Sequence, residues 1–173
     1  MKIVVTDANI FIEIIELNIS REFFELQLEV HTSLDVYNEL HESQKNLLNA
    51  YRTAKILFIH NITGAEKQLI LAENYPEAFS CMDKTALFLA KKFDSMVLSC
   101  DHPVREYAKA NAIKPHGMLW ILDTLLETGS ITARQAINLI QELFSKNAVY
   151  RYNISLLQEQ KKRISKWSVN LGA

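Results

Sequence analysis

The sequence is poor in the residues that cross-link or bend small proteins. Its 173 residues include only two cysteines, four glycines and three prolines. Cys81 and Cys100 have neither the CxxC spacing of a redox or metal motif nor the density of a disulfide-rich domain, so we expect two buried, inert thiols. We find no low-complexity linker and no internal repeat, which gives no reason to expect several independent domains.

The chain also lacks a large excess of one charge and any long apolar run. A formal net charge of −1 gives no general attraction to nucleic acid, so such binding would need a local patch. Lys161, Lys162, Arg163 and Lys166 near Trp167 form one candidate, and a solvated helix end explains them equally well. No segment is long enough to span a bilayer, and no signal segment opens the chain. We therefore expect a cytoplasmic protein without a membrane partner.

What the chain does contain is an alternation of strand-like and helix-like segments. The strand-like apolar runs lie near residues 2–6, 28–32, 56–59, 96–99 and 113–115. The last would be an edge strand, because Pro115 is tolerated only there. Helix-like sequence separates the runs, and this order predicts an α/β fold with helices on both faces of a mostly parallel sheet of four to five strands. The length is sufficient for one buried core of this kind.

Two of the predicted helices carry candidate functional residues. The spacing of four apolar side chains predicts one helix from an N-cap at Ser33 to about Tyr51. Its apolar stripe consists of Val36, Leu40, Leu47 and Tyr51. A second helix is predicted over residues 77–93.

Two aspartates follow predicted strands directly. Asp7 ends the first apolar run and Asp101 ends the fourth. Ligands of open parallel sheets bind beyond the carboxyl ends of the strands, and carboxylates that share a site usually bind a divalent cation. Capping of the following helix is an alternative role, and it is compatible with metal binding because a capping carboxylate keeps a free oxygen. Asn9 is placed to hold the Asp7 carboxylate or its turn, and Ser99 offers a hydroxyl to the turn at Asp101.

Two further acids lie on the predicted helices. Asp83 shares a helix face with Phe79, Ala86, Leu87 and Ala90. A charge on an apolar face is costly unless it is paired with a cation or a metal ion. Pairing with a buried Lys or Arg and an exposed position near the helix start are the alternatives. Glu39 is less distinct, because Asp35 and Glu42 are neighbouring candidates for ordinary surface acids.

Four segments of the chain resemble those of PIN-domain nucleases. They are Val4–Phe11, Val36–Leu40, Asp83–Ala90 and Val97–Ala108. Their order and separations are similar to the family from residue 1 to about residue 145, and residues 116–122 resemble its usual continuation. By position, the resemblance assigns Asp7, Glu39, Asp83 and Asp101 to an acidic site, with Asn9 and Ser99 as polar partners.

The resemblance implies a Rossmann-like three-layer α/β/α fold and a metal-dependent ribonuclease that uses Mg²⁺ or Mn²⁺. The four acids would be catalytic, with Asp7, Asp83 and Asp101 as metal ligands, directly or through water. Glu39 would be a ligand or would orient water. Arg105 would meet a substrate phosphate, and a salt bridge to a surface acid is its alternative role. Relatives carry further acids near the last strand, where this chain has neutral or basic neighbours, so the number of ions stays open.

The resemblance leaves the cellular role open. PIN-like proteins often act as the toxic ribonuclease of a toxin–antitoxin pair, which makes a small antitoxin protein and a second copy of the chain candidate partners besides RNA. A weak or inactive PIN-like module that binds RNA or a protein is the alternative. A phosphotransfer enzyme would need a second acid near Asp7, and position 9 is Asn. We expect a PIN-like nuclease domain over residues 1–145 and a C-terminal helical extension over residues 146–173.

Overall fold

The computed structural model describes residues 2–169, which contain one five-stranded parallel sheet. The strands are β1 (Lys2–Thr6), β2 (Leu28–Ser33), β3 (Leu57–His60), β4 (Met96–Leu98) and β5 (Pro115–His116). Their order is β3-β2-β1-β4-β5, and every neighbouring pair is parallel. The predicted sheet is thus confirmed, including a short edge strand at Pro115.

Helices connect the strands and cover both faces of the sheet. They are α1 (Ala8–Glu16), α2 (Ser20–Glu25), α3 (Leu34–Glu39), α4 (Glu42–Thr53), α5 (Gly64–Ala72), α6 (Cys81–Lys92), α7 (His102–Ala110), α8 (Met118–Glu127), α9 (Ala133–Lys146), α10 (Ala148–Tyr152) and α11 (Ile154–Val169). Successive residues of β1 enter different cores: Val4 packs with α1 and α8, whereas Val5 packs with α6 and α7. This arrangement confirms the predicted Rossmann-like three-layer α/β/α fold, and it explains why the central strands are apolar throughout.

The single helix predicted from Ser33 to Tyr51 is wrong, because the chain breaks at Leu40. Leu40 is extended (φ −72°, ψ 145°) and only 3% exposed, so it enters the core from a turn rather than from a helix. A new helix starts after His41, whose N–H donates to the Gln44 side chain at 2.9 Å. Glu39 consequently lies at the last residue of a short helix.

The helix predicted over residues 77–93 begins later, because Ser80 is its N-cap. Asp83 therefore lies in the first turn of α6 rather than along an apolar face. Cys81, the first residue of α6, is exposed, so the expectation of two buried thiols is wrong for this residue. Cys100 is half-buried, and burial raises the pKa of its thiol, which keeps it protonated and unreactive.

The C-terminal helices pack against the same core as the sheet. Trp167 of α11 is 2% exposed, and Tyr150 of α10 is 6% exposed. Both belong to the larger apolar cluster, which also contains Val4 and Phe11. The domain boundary expected at residue 145 stays a prediction. Across residues 2–169, none of the helices is both long and apolar enough to cross a membrane.

Candidate active site

The sheet places two of the predicted site aspartates side by side. Thr6 of β1 pairs with Leu98 of β4, and the Asp7 N–H extends this ladder by donating to the Leu98 carbonyl at 3.1 Å. Asp101 follows β4 as the N-cap residue of α7. Two acids 94 residues apart in the sequence thus follow adjacent strands, as the sequence predicts.

A single cavity of about 290 Å³ brings all four predicted acids together. It is lined by Asp7, Ala8, Asn9, Glu39, Ser80, Met82, Asp83 and Asp101. We call this cavity the acid pocket. Its four carboxylates come from the ends of β1 and β4, the end of α3 and the first turn of α6.

Asp7 is the most constrained of these acids. It is 8% exposed, and its two oxygens accept hydrogen bonds from the N–H groups of Ile10 at 2.9 Å and Cys100 at 3.2 Å. Burial raises its pKa to about 6; hydrogen bonds from Ser99, Ile10 and Cys100 oppose the rise, and the Asp83 charge adds to it. The buried carboxylate therefore lacks enough positive potential around it to ionise freely.

Ser99 and Asn9 differ in how well they match their predicted contacts. The buried Ser99 hydroxyl accepts the Asp101 N–H at 3.1 Å and lies close enough to the Asp7 carboxylate to lower its pKa. Asn9 is exposed and lines the pocket, but the predicted hydrogen bond from its amide to Asp7 is absent from the described part of the chain. The N–H groups of Ile10 and Cys100 take those positions instead.

Asp83 is held by a capping box at the start of α6. Its Oδ2 accepts from the Ser80 N–H at 2.8 Å and from the Ser80 hydroxyl at 2.7 Å, and its own N–H donates to Ser80 Oγ. The position near the helix start, one of the alternatives left open by the sequence, is therefore the observed one. In residues 2–169 no hydrogen bond reaches its Oδ1, which leaves that oxygen available to a ligand.

Replacing Ser80 with alanine is expected to lower the free energy of unfolding by about 1 kcal/mol, because the cap of α6 is lost. Urea denaturation followed by circular dichroism measures the change. Ser145→Ala is the control, since Ser145 is exposed and its hydroxyl donates to the Glu142 carbonyl of its own helix rather than to a helix cap. Equal losses in the two variants would contradict a specific capping role.

Asp101 and Glu39 form the exposed rim of the acid pocket. The Asp101 carboxylate makes no capping bond to α7, unlike Asp7 at the start of α1. Glu39 is exposed at the end of α3, and partial burial together with the Asp83 charge raises the pKa of its carboxyl. Both carboxylates thus face the opening with their oxygens unengaged by capping.

Arg105 lies beside the acid pocket rather than in its lining. Its Nη1 donates to the Ser99 carbonyl at 2.7 Å, and no carboxylate in residues 2–169 forms an ion pair with it. The salt bridge considered from the sequence is therefore not observed. The guanidinium lines a neighbouring cleft together with Asn9 and Asp101.

Glu13 is a buried acid that the sequence reasoning missed. It is 6% exposed and accepts hydrogen bonds from Asn147 at 2.7 Å and from the Cys100 thiol and the Tyr150 hydroxyl at 3.3 Å. Burial raises its pKa, and none of the three donors carries a positive charge. The sequence does contain an indication of this role, because Glu13 lies among the isoleucines of α1. A charged side chain in an apolar helix needs a specific partner.

The donor chemistry of the acid pocket fits a hard divalent cation. Carboxylate oxygens are the ligands that Mg²⁺ prefers, and repulsion between the acids would fall when a cation is bound. Over residues 2–169, however, no three Asp, Glu, His or Cys side chains converge closely enough to hold an ion together. Direct ligation of one ion by three of these acids would therefore require their side chains to move closer together.

Comparison with known families agrees with this geometry. The chain matches the family model DUF3368, described as a PIN domain, over residues 3–166. None of the curated proteins gives a significant match. PIN domains are generally nucleases and typically use divalent metal ions. Since the match covers nearly the whole chain, and the fold and the strand-end acids agree with it, the protein belongs to the PIN-domain family.

Proposed function

We propose that the protein is a divalent-metal-dependent ribonuclease that hydrolyses phosphodiester bonds in RNA. The observation that carries this proposal is the convergence of Asp7, Glu39, Asp83 and Asp101 in one pocket at the ends of adjacent strands. Family membership supports it, because PIN domains are generally nucleases. The raised pKa of Asp7 adds support, since a buried carboxylate that resists ionisation gains most from a bound cation.

Asp7, Asp83 and Asp101 would hold Mg²⁺ or Mn²⁺, directly or through water. Each of these carboxylates can still bind an ion. Among residues 2–169, Asp83 has its Oδ1 free, and the Asp101 carboxylate makes no capping hydrogen bond. Asp7 keeps lone pairs on the oxygens that accept its backbone hydrogen bonds. When bound, the ion supplies polarisation of the phosphate and a lower pKa for the attacking water. Glu39, at the rim, would orient that water or serve as a further ligand.

Three neighbouring residues would support these acids. Ser99 holds the Asp101 backbone through its hydroxyl, which also favours the ionised form of the nearby Asp7 carboxylate. Asn9 presents an exposed amide at the pocket lining, where it can bond to a non-bridging oxygen or to water. Arg105 has donors to spare beyond its bond to Ser99, which suits it to a substrate phosphate.

For the cellular role, we propose a toxin-type ribonuclease of the cytoplasm that a small antitoxin protein holds inactive and that is able to form a homodimer. The family resemblance supports this role. The alternative is a weak or inactive module that binds RNA or a protein partner. One observation favours the alternative: although the four acids line one pocket, no three candidate ligands in residues 2–169 lie close enough together to hold one metal ion.

The proposed activity is tested by Mn²⁺-dependent cleavage of a mixed RNA pool, with single-stranded DNA as a parallel substrate. We expect the wild type to cleave RNA and EDTA to stop this cleavage. Asp101→Asn should lower the rate about a hundredfold, because removal of one positioned catalytic group typically costs about this factor. Asp94→Asn is the matched control, because Asp94 is exposed at a positive φ of 46° that asparagine also tolerates.

The outcomes separate the two functions. Loss of activity in Asp101→Asn with full activity in Asp94→Asn supports the nuclease. Equal cleavage by the wild type and Asp101→Asn would mean that a contaminating nuclease is responsible, and the binding module would then be the better interpretation.

A further inference from the structure

A second, larger cavity adjoins the acid pocket. It measures about 740 Å³ and lies between α1, the start of α7 and the C-terminal helices α10 and α11. Asn9 and Asp101 line both cavities, so the two are adjacent. We call this cavity the cleft. Its volume is within the range of small-ligand sites, about 300–1,000 Å³.

The walls of the cleft are fixed by the buried carboxylate of Glu13. Its hydrogen bonds to Asn147 and Tyr150 attach α10 to α1, and its bond from the Cys100 thiol attaches both to the end of β4. All three donors are satisfied by one acid on a rigid helix. The cleft is therefore formed before any ligand arrives, which lowers the entropic cost of binding.

The cleft contains two basic side chains that differ in their ion pairs. Lys146 is paired with Glu142 and also bonds to the Glu16 carbonyl. Arg105, by contrast, has no ion-pair partner in residues 2–169 and uses one donor on the Ser99 carbonyl. Three acids, Glu13, Glu16 and Asp101, line the same cleft, so the surrounding charge does not favour an anion. What suits Arg105 to phosphate is the forked geometry of its half-buried guanidinium and the donors that it keeps free.

The remaining lining combines apolar surfaces with unengaged polar groups. Ile12 and Leu156 supply apolar contacts. The Ser155 hydroxyl is exposed, and Asn153 uses its Oδ1 to cap α11 but keeps its amide donors. A nucleobase has the same division, with apolar faces and a polar edge. Because that edge is occupied in a duplex, only an unpaired base could use these groups.

From these contacts we infer that the cleft binds one unpaired nucleotide of the substrate strand, next to the bond that the acid pocket cleaves. Arg105 bonds to its phosphate, and Asn153 and Ser155 bond to the edge of its base. This inference rests on the proposed nuclease function and assigns a substrate-binding role to the C-terminal helices.

The test blocks the cleft from its exposed side. Ser155→Trp inserts a large side chain at the second residue of α11, and Ser165→Trp places the same side chain on an exposed position of that helix away from the cleft. Each variant is assayed with Mn²⁺ on a single-stranded RNA octamer and on methyl p-nitrophenyl phosphate, a phosphodiester without a base. The ratio of the two rates is the measure, so a general loss of folding does not affect it.

We expect Ser155→Trp to lower the ratio of RNA cleavage to diester cleavage about tenfold, in line with the loss of one bound base. Ser165→Trp should leave the ratio within about twofold of the wild type. An unchanged ratio in Ser155→Trp, with both substrates cleaved, overturns the cleft as a nucleotide site and leaves the nuclease proposal standing.

A binding measurement separates failure of this inference from failure of the proposed function. Both tryptophan variants are made in an Asp7→Asn background, and fluorescence anisotropy measures their affinity for the labelled octamer. If the wild type cleaves neither substrate, the nuclease proposal fails. Weaker binding by Ser155→Trp alone, by about tenfold, would then still support the cleft, whereas equal affinities would overturn it.

Discussion

Asp7→Asn is expected to lower Mn²⁺-dependent RNA cleavage about a thousandfold while leaving the fold in place. Loss of metal coordination removes several kcal/mol of transition-state stabilisation, and about 4 kcal/mol corresponds to this factor. The fold should persist, because asparagine can still accept the Ile10 N–H with its side-chain oxygen. The expected loss therefore concerns chemistry rather than structure.

Initial rates of purified protein on a labelled RNA measure the effect, and circular dichroism confirms folding. Asp35→Asn is the control, since Asp35 lies on the same short helix as Glu39 but outside the acid pocket. Full nuclease activity in Asp7→Asn would end the assignment of this pocket as the catalytic centre.

The second large effect concerns the stability of the metal-free protein, which should fall as pH rises because of Asp7. The pKa of Asp7 is about 6 in the folded state and 3.8 without the fold, so the folded protein binds this proton more tightly. Its contribution is complete below pH 3.8, is lost between pH 3.8 and about 6, and stays lost at neutral pH. A shift of this size corresponds to about 3 kcal/mol.

Urea denaturation in EDTA at several pH values measures this loss, and Asp7→Asn is the reference because it does not ionise at position 7. The difference in unfolding free energy between the wild type and the variant should decrease by about 3 kcal/mol across that pH range. Adding Mn²⁺ near neutral pH should restore stability to the wild type alone. Parallel pH profiles for the two proteins would exclude Asp7 as the source.

The fold could be predicted well because its central strands are buried on both faces. Such strands appear in the sequence as short continuous apolar runs, and their alternation with helices implies parallel pairing. The break at Leu40 could not be predicted, since Leu40, Leu47 and Tyr51 keep a helical spacing. Tertiary packing determines which leucine of this segment enters the core: Leu48 is fully buried, whereas Leu47 is 40% exposed.

The candidate site could be predicted where topology fixes it. Asp7 and Asp101 follow strands, so a parallel sheet brings them together. Glu39 was selected only by resemblance, because an exposed acid at a helix end has no local signature. Asp83 was selected because it was expected on an apolar helix face. Its helix begins four residues later than the periodicity suggests, and Asp83 lies in the first turn instead. Glu13 was missed because its three donors come from segments 87 to 137 residues away.

The order of the strands has a consequence for how this site could change. The connections that follow β1 and β4 leave toward opposite faces of the sheet, since α1 packs in one core and α7 in the other. Asp7 and Asp101 therefore lie at the position where two adjacent connections leave toward opposite faces. Ligands of open parallel sheets usually bind in this crevice. The entrance is fixed at its base, because the backbone N–H groups of Asp7 and Ser99 bond to the neighbouring strands β4 and β5. A change in the width of this entrance is therefore expected to come from the exposed residues around it, such as Asn9 and His102, rather than from the connections themselves.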